Sequence, residues 1–166
     1  KASTVPQLMA EARKVVSGRG LDITPFKELL EKYVDEEKIR SSPCDLYVTS
    51  LSVTDRREVV FDVKQAPSGT IKDVLLASAY FPGFKQEKIG GKTYLDGGMV
   101  NNVPVDVLAE RGYKNLIVIR IYGIGVDTER RTELPEDVNV YRIAPRRNLG
   151  GILEFEKKRT RRSMTL

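Results

Sequence analysis

The stretch GGKTYLDGGMVNNVPVDVLAERG, which runs from Gly90 to Gly112, carries the strongest local signals for the fold. Gly90 and Gly91 can both adopt positive φ, which predicts a tight turn between two short extended segments. The second segment ends at Asp96, where two more glycines permit a sharp bend. Pro104 suits the start of a helix, and the pattern predicts that this helix stops at Gly112.

The residues around Asp96 leave two interpretations open. Gly97 and Gly98 allow positive φ or a close approach to another group, so they would present the carboxylate at a bend after a strand. A strand that ends in Asp-Gly-Gly is also a common turn with no further role. The spacing alone does not separate a catalytic carboxylate from a structural turn.

Helical and extended patterns alternate along the rest of the chain. This alternation predicts an α/β layered domain with a central, largely parallel sheet flanked by helices. We expect the 166 residues, 1–166, to form a single domain, because this length is typical of one. Helices are predicted over 3–18, 24–34, 70–79 and 149–166, and strands over 44–53, 58–63, 114–123 and 138–145.

Three local predictions concern burial and pairing. Thr24 is expected to cap a helix whose buried stripe contains Phe26, Leu29, Leu30 and Tyr33. The charged turn TDRR is expected to join two neighbouring strands as a hairpin. The apolar run NLIVIRI is typical of a strand that is buried on both faces of a parallel sheet.

The composition excludes several mechanisms. The chain has no histidine and one cysteine, Cys44, so a Cys/His metal site and a histidine general base are not available. No loop has the acidic spacing of a calcium site, and we expect neither a metal nor another cofactor. The apolar runs are too short to span a bilayer. A single cysteine and the lack of a secretory signal favour a cytoplasmic location.

The net charge of +5 is concentrated in arginine pairs and in the segment EKKRTRRSMTL. Nucleic-acid binding is not expected, because aromatic residues make up only 7% of the chain and tryptophan is absent. The basic segment is either a solvated helix face or a peripheral contact with phospholipid headgroups. A third alternative, anion binding where GGILEF opens a helix, lacks the Lys-Ser/Thr that usually accompanies such a site.

Several matching stretches, in the same order, resemble the carboxy-terminal half of the patatin-like phospholipases, a family of lipid acyl hydrolases. They are LLASAYFPGF from Leu75 to Phe84, the Gly90 to Gly112 stretch, and the NLIVIRI strand that follows. The upstream stretch GLDITPFKELLEKYVDEEKIRSSPCDLYVTSLSV is also similar, so the resemblance covers most of the chain. It implies a patatin-like fold that is incomplete at its amino-terminal side.

The resemblance also implies a serine and aspartate dyad, in which the serine attacks an ester carbonyl and the aspartate acts as the base. Asp96 matches the dyad aspartate, and Gly97 and Gly98 match the positions that turn the chain away from it. Asn101 and Asn102 would support the turn and the start of the next helix. The implied substrate is a lipid or another acyl ester, and no cofactor is implied.

The family's Gly-x-Ser-x-Gly nucleophile motif and its glycine-rich oxyanion loop do not occur in these 166 residues. Ser78, inside the matching block, is interpreted as a packing residue. We expect the chain to supply the aspartate of a hydrolase and to be inactive alone, with a missing amino-terminal fragment or a second copy as its partner. The alternative is a catalytically inactive module that binds lipid or protein.

Overall fold

The computed structural model describes residues 20–120 and 133–144, which form parts of two compact units with their boundary between Val100 and Asn101. The helices predicted over 3–18 and 149–166 lie outside the described residues. Helices and sheets are both present, so the α/β class is confirmed. The expected single domain stays a prediction, since a compact unit need not be a domain that folds alone.

The described part of the first unit, residues 20–100, contains three helices, three strands and two short 3-10 helices. The helices are α1 (Thr24–Tyr33), α2 (Glu36–Ser41) and α3 (Ile71–Ser78), the strands are β1 (Tyr47–Ser52), β2 (Arg57–Asp62) and β3 (Tyr94–Asp96), and the 3-10 helices are Val63–Gln65 and Gly97–Met99.

The three strands form an antiparallel sheet in the order β2-β1-β3. The hairpin predicted at TDRR is confirmed, and its turn includes Arg56 at a φ of 54°. The turn predicted at Gly90 and Gly91 is confirmed as well, with φ values of 55° and 79°. A central parallel sheet is not confirmed, because a turn this short between β1 and β2 permits only antiparallel pairing.

Helix α3 lies against this sheet and contributes to two apolar clusters of the first unit. One cluster joins Ile71 and Val74 to Val63, which follows β2. The other joins Leu76 to Ile23 and to the buried Tyr80. Burial of one face of α3 therefore fixes where the chain emerges after the helix, next to β3.

Helix α1 begins one residue earlier than predicted, so the prediction that Thr24 caps it is wrong. Thr24 is the first helical residue, and its N–H donates to Asp22 Oδ1 at 2.9 Å. Phe26 and Leu30 are half-buried against the cluster around Ile23, as predicted. The rest of the predicted stripe is wrong: Leu29 is exposed and Tyr33 is 70% exposed, because the cluster covers less than the full width of the apolar face.

The described residues of the second unit form α4 (Val105–Ala109), β4 (Asn115–Ile119) and β5 (Asn139–Ile143), and these two strands pair in parallel. Leu116 and Val118 are buried with Val105 on one face of β4. The prediction that both faces are buried is wrong in the described part of this unit, since Ile117 is 68% exposed and Ile119 is 74% exposed. An apolar run thus identified the strand correctly, although one of its faces is not covered.

Candidate active site

Asp96 is the last residue of β3, as the sequence predicts, and its backbone is held from two sides. On one side β3 pairs with β1, where Asp96 lies opposite Ser50. On the other side the Asp96 N–H donates to the Tyr80 carbonyl at 2.8 Å. The sheet and the chain that leaves α3 therefore fix the position of the Asp96 backbone together.

The Asp96 carboxylate is oriented by the turn that follows it. Its Oδ1 accepts the Gly98 N–H at 2.7 Å, so the side chain caps the 3-10 helix Gly97–Met99. The turn closes with a hydrogen bond from the Val100 N–H to the Gly97 carbonyl at 3.0 Å. A charged acceptor bound to a backbone N–H is among the stronger hydrogen bonds, and it limits the rotamers open to Asp96.

Gly97 is required by a close approach and not by positive φ. It is buried, and a Cβ at this position would lie 2.3 Å from the Thr49 carbonyl oxygen and 2.4 Å from Thr49 Oγ1. Any side chain would push the turn away from β1. The glycine after Asp96 therefore lets the carboxylate-bearing turn lie directly on the sheet.

Hydroxyl groups on β1 support the site, and sequence reasoning missed them. Ser50 is fully buried, and its Oγ lies 2.8 Å from the Ala77 carbonyl oxygen and 2.9 Å from the Leu95 carbonyl oxygen. It therefore links α3, β1 and β3 and is not accessible to a substrate. A strand with three serine or threonine hydroxyls, YVTSLS, was the available signal, because polar side chains on a buried strand need partners. Ser78 is half-buried in the last turn of α3.

Tyr80 connects the site to the loop after α3. Its hydroxyl donates to the Lys85 carbonyl at 2.5 Å and accepts the Glu87 N–H at 2.9 Å, and its ring meets Phe84 edge to face. The ring is fully buried, and this burial raises the pKa of the Tyr80 phenol above its usual range. The Tyr80 carbonyl binds the Asp96 N–H, so the backbone of Tyr80 also holds β3.

Replacement of Tyr80 by Phe is expected to lower the free energy of unfolding at neutral pH by about 1 to 2 kcal/mol, since two hydrogen bonds to backbone groups are lost. The raised pKa means that the neutral phenol stabilises the fold fully below about pH 10, and that this contribution disappears as pH rises through the folded-state pKa. The difference between the two proteins should therefore shrink in strong alkali.

Urea unfolding at neutral and alkaline pH measures this difference. Tyr33→Phe is the matched control, since its ring is 70% exposed and its substitution should change stability by less than about 0.5 kcal/mol. A Tyr80→Phe protein as stable as the Tyr33→Phe protein would show that the Tyr80 hydroxyl does not hold the loop.

Asn101 and Asn102 belong to the second unit and differ in environment. Asn101 is buried, and its Nδ2 donates to Asp106 Oδ1 at 3.0 Å. The same Asp106 oxygen accepts the Val107 N–H at 3.0 Å, so the pair organises the first turn of α4. Asn102 is exposed. Sequence reasoning missed Asp106, whose carboxylate is buried. The available signal was an acidic residue in the first turn of a predicted helix, five residues after Asn101.

No group of three or more His, Cys, Asp or Glu side chains within 20–120 and 133–144 is placed to hold a metal ion. In the same ranges, no helix combines the length and the apolar character that a bilayer crossing needs.

The chain, with its α/β elements and its Asp-Gly-Gly turn, is similar to one known protein family. Residues 6–109 match the family model of the patatin-like phospholipases, named Patatin. The match covers more than half of the chain, which therefore belongs to the patatin-like phospholipase family.

One curated relative is similar over a shorter stretch. The uncharacterized protein YjjU of Escherichia coli (strain K12) is 44% identical over 50 residues, which make up 29% of this chain and 14% of the relative. The chain thus matches only a small part of that protein's length. The name of this relative states no activity, so the match shows sequence similarity and gives no information about function.

Proposed function

We propose that Asp96 is the general base of a serine and aspartate dyad in a hydrolase that cleaves acyl esters of lipids or similar lipophilic esters. The observation that carries this proposal is the carboxylate held by the Gly98 N–H at 2.7 Å on a strand that is fixed from both sides. Membership of the patatin-like phospholipases supports a lipid hydrolase. Gly97 and Gly98 serve this role by bringing the turn onto β1 and by binding the carboxylate.

The chemistry requires one proton acceptor next to a serine. The serine Oγ–H gives its proton to the Asp96 carboxylate while Oγ bonds to the ester carbonyl carbon, which forms a tetrahedral oxyanion. Asp96 then returns the proton to the departing alcohol as the C–O bond breaks. Water then attacks the acyl carbon of the acyl-serine while Asp96 accepts a proton from that water. Asp96 returns the proton to the serine Oγ as the bond between Oγ and the acyl carbon breaks, which releases the acid. A chain without histidine is suited to this scheme, because a carboxylate takes the base role.

The nucleophile is proposed to come from polypeptide outside these 166 residues. No serine of the chain has the Gly-x-Ser-x-Gly context, and Ser50, the serine opposite Asp96, is fully buried. The chain alone is then expected to be inactive toward esters. The absent motif also favours a second candidate, a patatin-like module that binds lipid or protein without catalysis.

A fluorophosphonate probe separates the two candidates, because it labels only activated nucleophiles. The full-length protein and the 166-residue chain are treated in parallel, and the labelled residue is located by mass spectrometry. The hydrolase proposal predicts one labelled serine in a Gly-x-Ser-x-Gly context and an unlabelled isolated chain. A full-length protein that is not labelled, although it is folded, would support the binding module.

Peripheral contact with a membrane and a cytoplasmic location stay predictions.

A further inference from the structure

The hairpin between β1 and β2 ends in an exposed basic turn, which we call the basic tip and define as Val53, Arg56 and Arg57. Arg56 and Arg57 form one of the arginine pairs in which the net charge is concentrated. All residues from 53 to 57 are exposed, and Val53 is 44% exposed. Among the described residues, no hydrogen bond or ion pair engages the guanidinium of Arg56 or Arg57. Both charges are therefore available to a ligand.

Arg56 has a backbone conformation that disfavours arginine. Its φ is 54°, whereas every other described residue with a positive φ is a glycine. This left-handed region is costly for a residue with a Cβ, and Gly, Asn and Asp adopt it most readily. A glycine would form the same turn at a lower conformational cost, so the turn alone does not account for an arginine. Backbone strain of this kind is concentrated at functional positions.

Hydrogen bonds hold the backbone of the basic tip from two directions. The Val53 N–H donates to the Thr93 carbonyl at 2.9 Å, and the Thr93 N–H donates to Thr54 Oγ1 at 2.9 Å. Within the turn, Ser52 Oγ donates to Asp55 Oδ2 at 2.9 Å and accepts the Asp55 N–H at 3.1 Å. A turn that is fixed in this way loses little backbone entropy when it binds a ligand.

The acidic residues next to the two arginines in the sequence, Asp55 and Glu58, do not cancel their charge. Lys92 Nζ lies 2.7 Å from Asp55 Oδ2, so this carboxylate already has a cationic partner. The hydrogen bonds from Lys92 and Ser52 hold the pKa of Asp55 below its usual range. Glu58 is half-buried, and it lies on the opposite face of β2 from Arg57 because side chains alternate along a strand. The basic tip therefore has a net positive charge.

We propose that the basic tip binds the phosphate groups of an anionic membrane surface. Guanidinium groups bind phosphate oxygens through paired N–H donors, and each basic residue close to an anionic membrane adds to the attraction. The exposed Val53 favours a lipid surface over a soluble phosphate, because an apolar side chain in a basic turn can enter the headgroup region. This inference rests on the proposed function, because a hydrolase of lipid esters has to reach a lipid surface.

Flotation of the full-length protein with vesicles tests the proposal without catalysis. Vesicles of phosphatidylcholine alone are compared with vesicles in which about one lipid in three is phosphatidylglycerol. The native protein should bind the anionic vesicles more tightly, and this binding should weaken as the salt concentration rises. Replacement of both Arg56 and Arg57 by Gln should weaken binding to the anionic vesicles about twentyfold, since each arginine contributes about fivefold.

Two further variants separate the basic tip from net charge and from folding. Replacement of both Lys32 and Lys38 by Gln removes the same charge from exposed positions on α1 and α2, and it should weaken binding less than about threefold. Arg56→Gly should weaken binding about fivefold. It should also raise the urea concentration at the unfolding midpoint, because glycine readily adopts a φ of 54°. Unfolding cannot produce this combination of weaker binding and higher stability.

Equal binding of the native protein to the two kinds of vesicle would overturn the proposal. An equal loss of binding in the lysine variant, or undiminished binding by Arg56→Gly, would overturn it as well. Asp96→Asn should bind the vesicles as the native protein does, since Asp96 is not part of the basic tip. The vesicle assay is independent of hydrolysis, so its failure would leave the assignment of Asp96 as the base in place.

Discussion

Replacement of Asp96 by Asn is expected to lower kcat/KM for hydrolysis of a p-nitrophenyl ester by the full-length protein about a thousandfold, within the range for loss of a general base. An amide oxygen cannot take up the serine proton at neutral pH. It can still accept the Gly98 N–H, which binds Asp96 Oδ1 in the native protein. The substitution therefore removes the base and preserves the turn.

The melting temperatures of the native and the Asp96→Asn protein are measured by circular dichroism alongside the kinetics. If the two temperatures are similar, the loss of kcat/KM is due to the missing base and not to unfolding. Asp73→Asn is the matched control, since Asp73 is an exposed carboxylate on α3, and it should leave kcat/KM within about twofold of the native value. An Asp96→Asn enzyme with near-native kcat/KM would refute the assignment of Asp96 as the base.

Replacement of Gly97 by Ala is expected to lower the free energy of unfolding by about 3 kcal/mol, near the upper end for overpacking. The new Cβ would lie 2.3 Å from the Thr49 carbonyl oxygen. That oxygen belongs to the central strand of the sheet, so it cannot rotate away as a side chain could. The turn or the β1 pairing must shift, which also displaces the Asp96 carboxylate.

Two further variants make this prediction specific. Gly91→Ala should cost only about 1 kcal/mol, because its Cβ would meet no atom within 4 Å and the cost is that of a φ of 79° in a non-glycine residue. Thr49→Ala should not rescue Gly97→Ala, because the carbonyl oxygen remains in place. Urea unfolding gives the free energies of unfolding of Gly97→Ala, Gly91→Ala and the double variant with Thr49→Ala. If Gly97→Ala were as stable as Gly91→Ala, the backbone of β1 would be able to move aside at little cost.

The turns were predictable from the sequence because their determinants are local. Gly90 and Gly91 can both take positive φ, and the structure places both there. The end of β3 at Asp96 follows from the same reasoning. The family resemblance also held, since the family model matches most of the region in which the similar stretches were found.

The support around Asp96 was not predictable, because it depends on pairing between distant segments. The Tyr80 carbonyl and the Thr49 backbone meet the Asp96 turn only after α3 and β1 are arranged around β3. The central parallel sheet is not confirmed for a similar reason, since alternation of helices and strands does not specify which strands become neighbours. Burial of Leu29 and Ile117 was mispredicted because periodicity identifies an apolar face but not what covers it.

The distance between the nucleophilic serine Oγ and the Asp96 carboxylate, in a crystal structure of the full-length protein, tests the central claim most directly. The serine is the one that the fluorophosphonate probe labels, and the distance is measured in the unlabelled protein. The account predicts about 2.6 to 3.2 Å to one Asp96 oxygen, with Oδ1 still bound to the Gly98 N–H. A serine whose nearest base is another residue, with Asp96 more than about 6 Å away and no water between them, would contradict it.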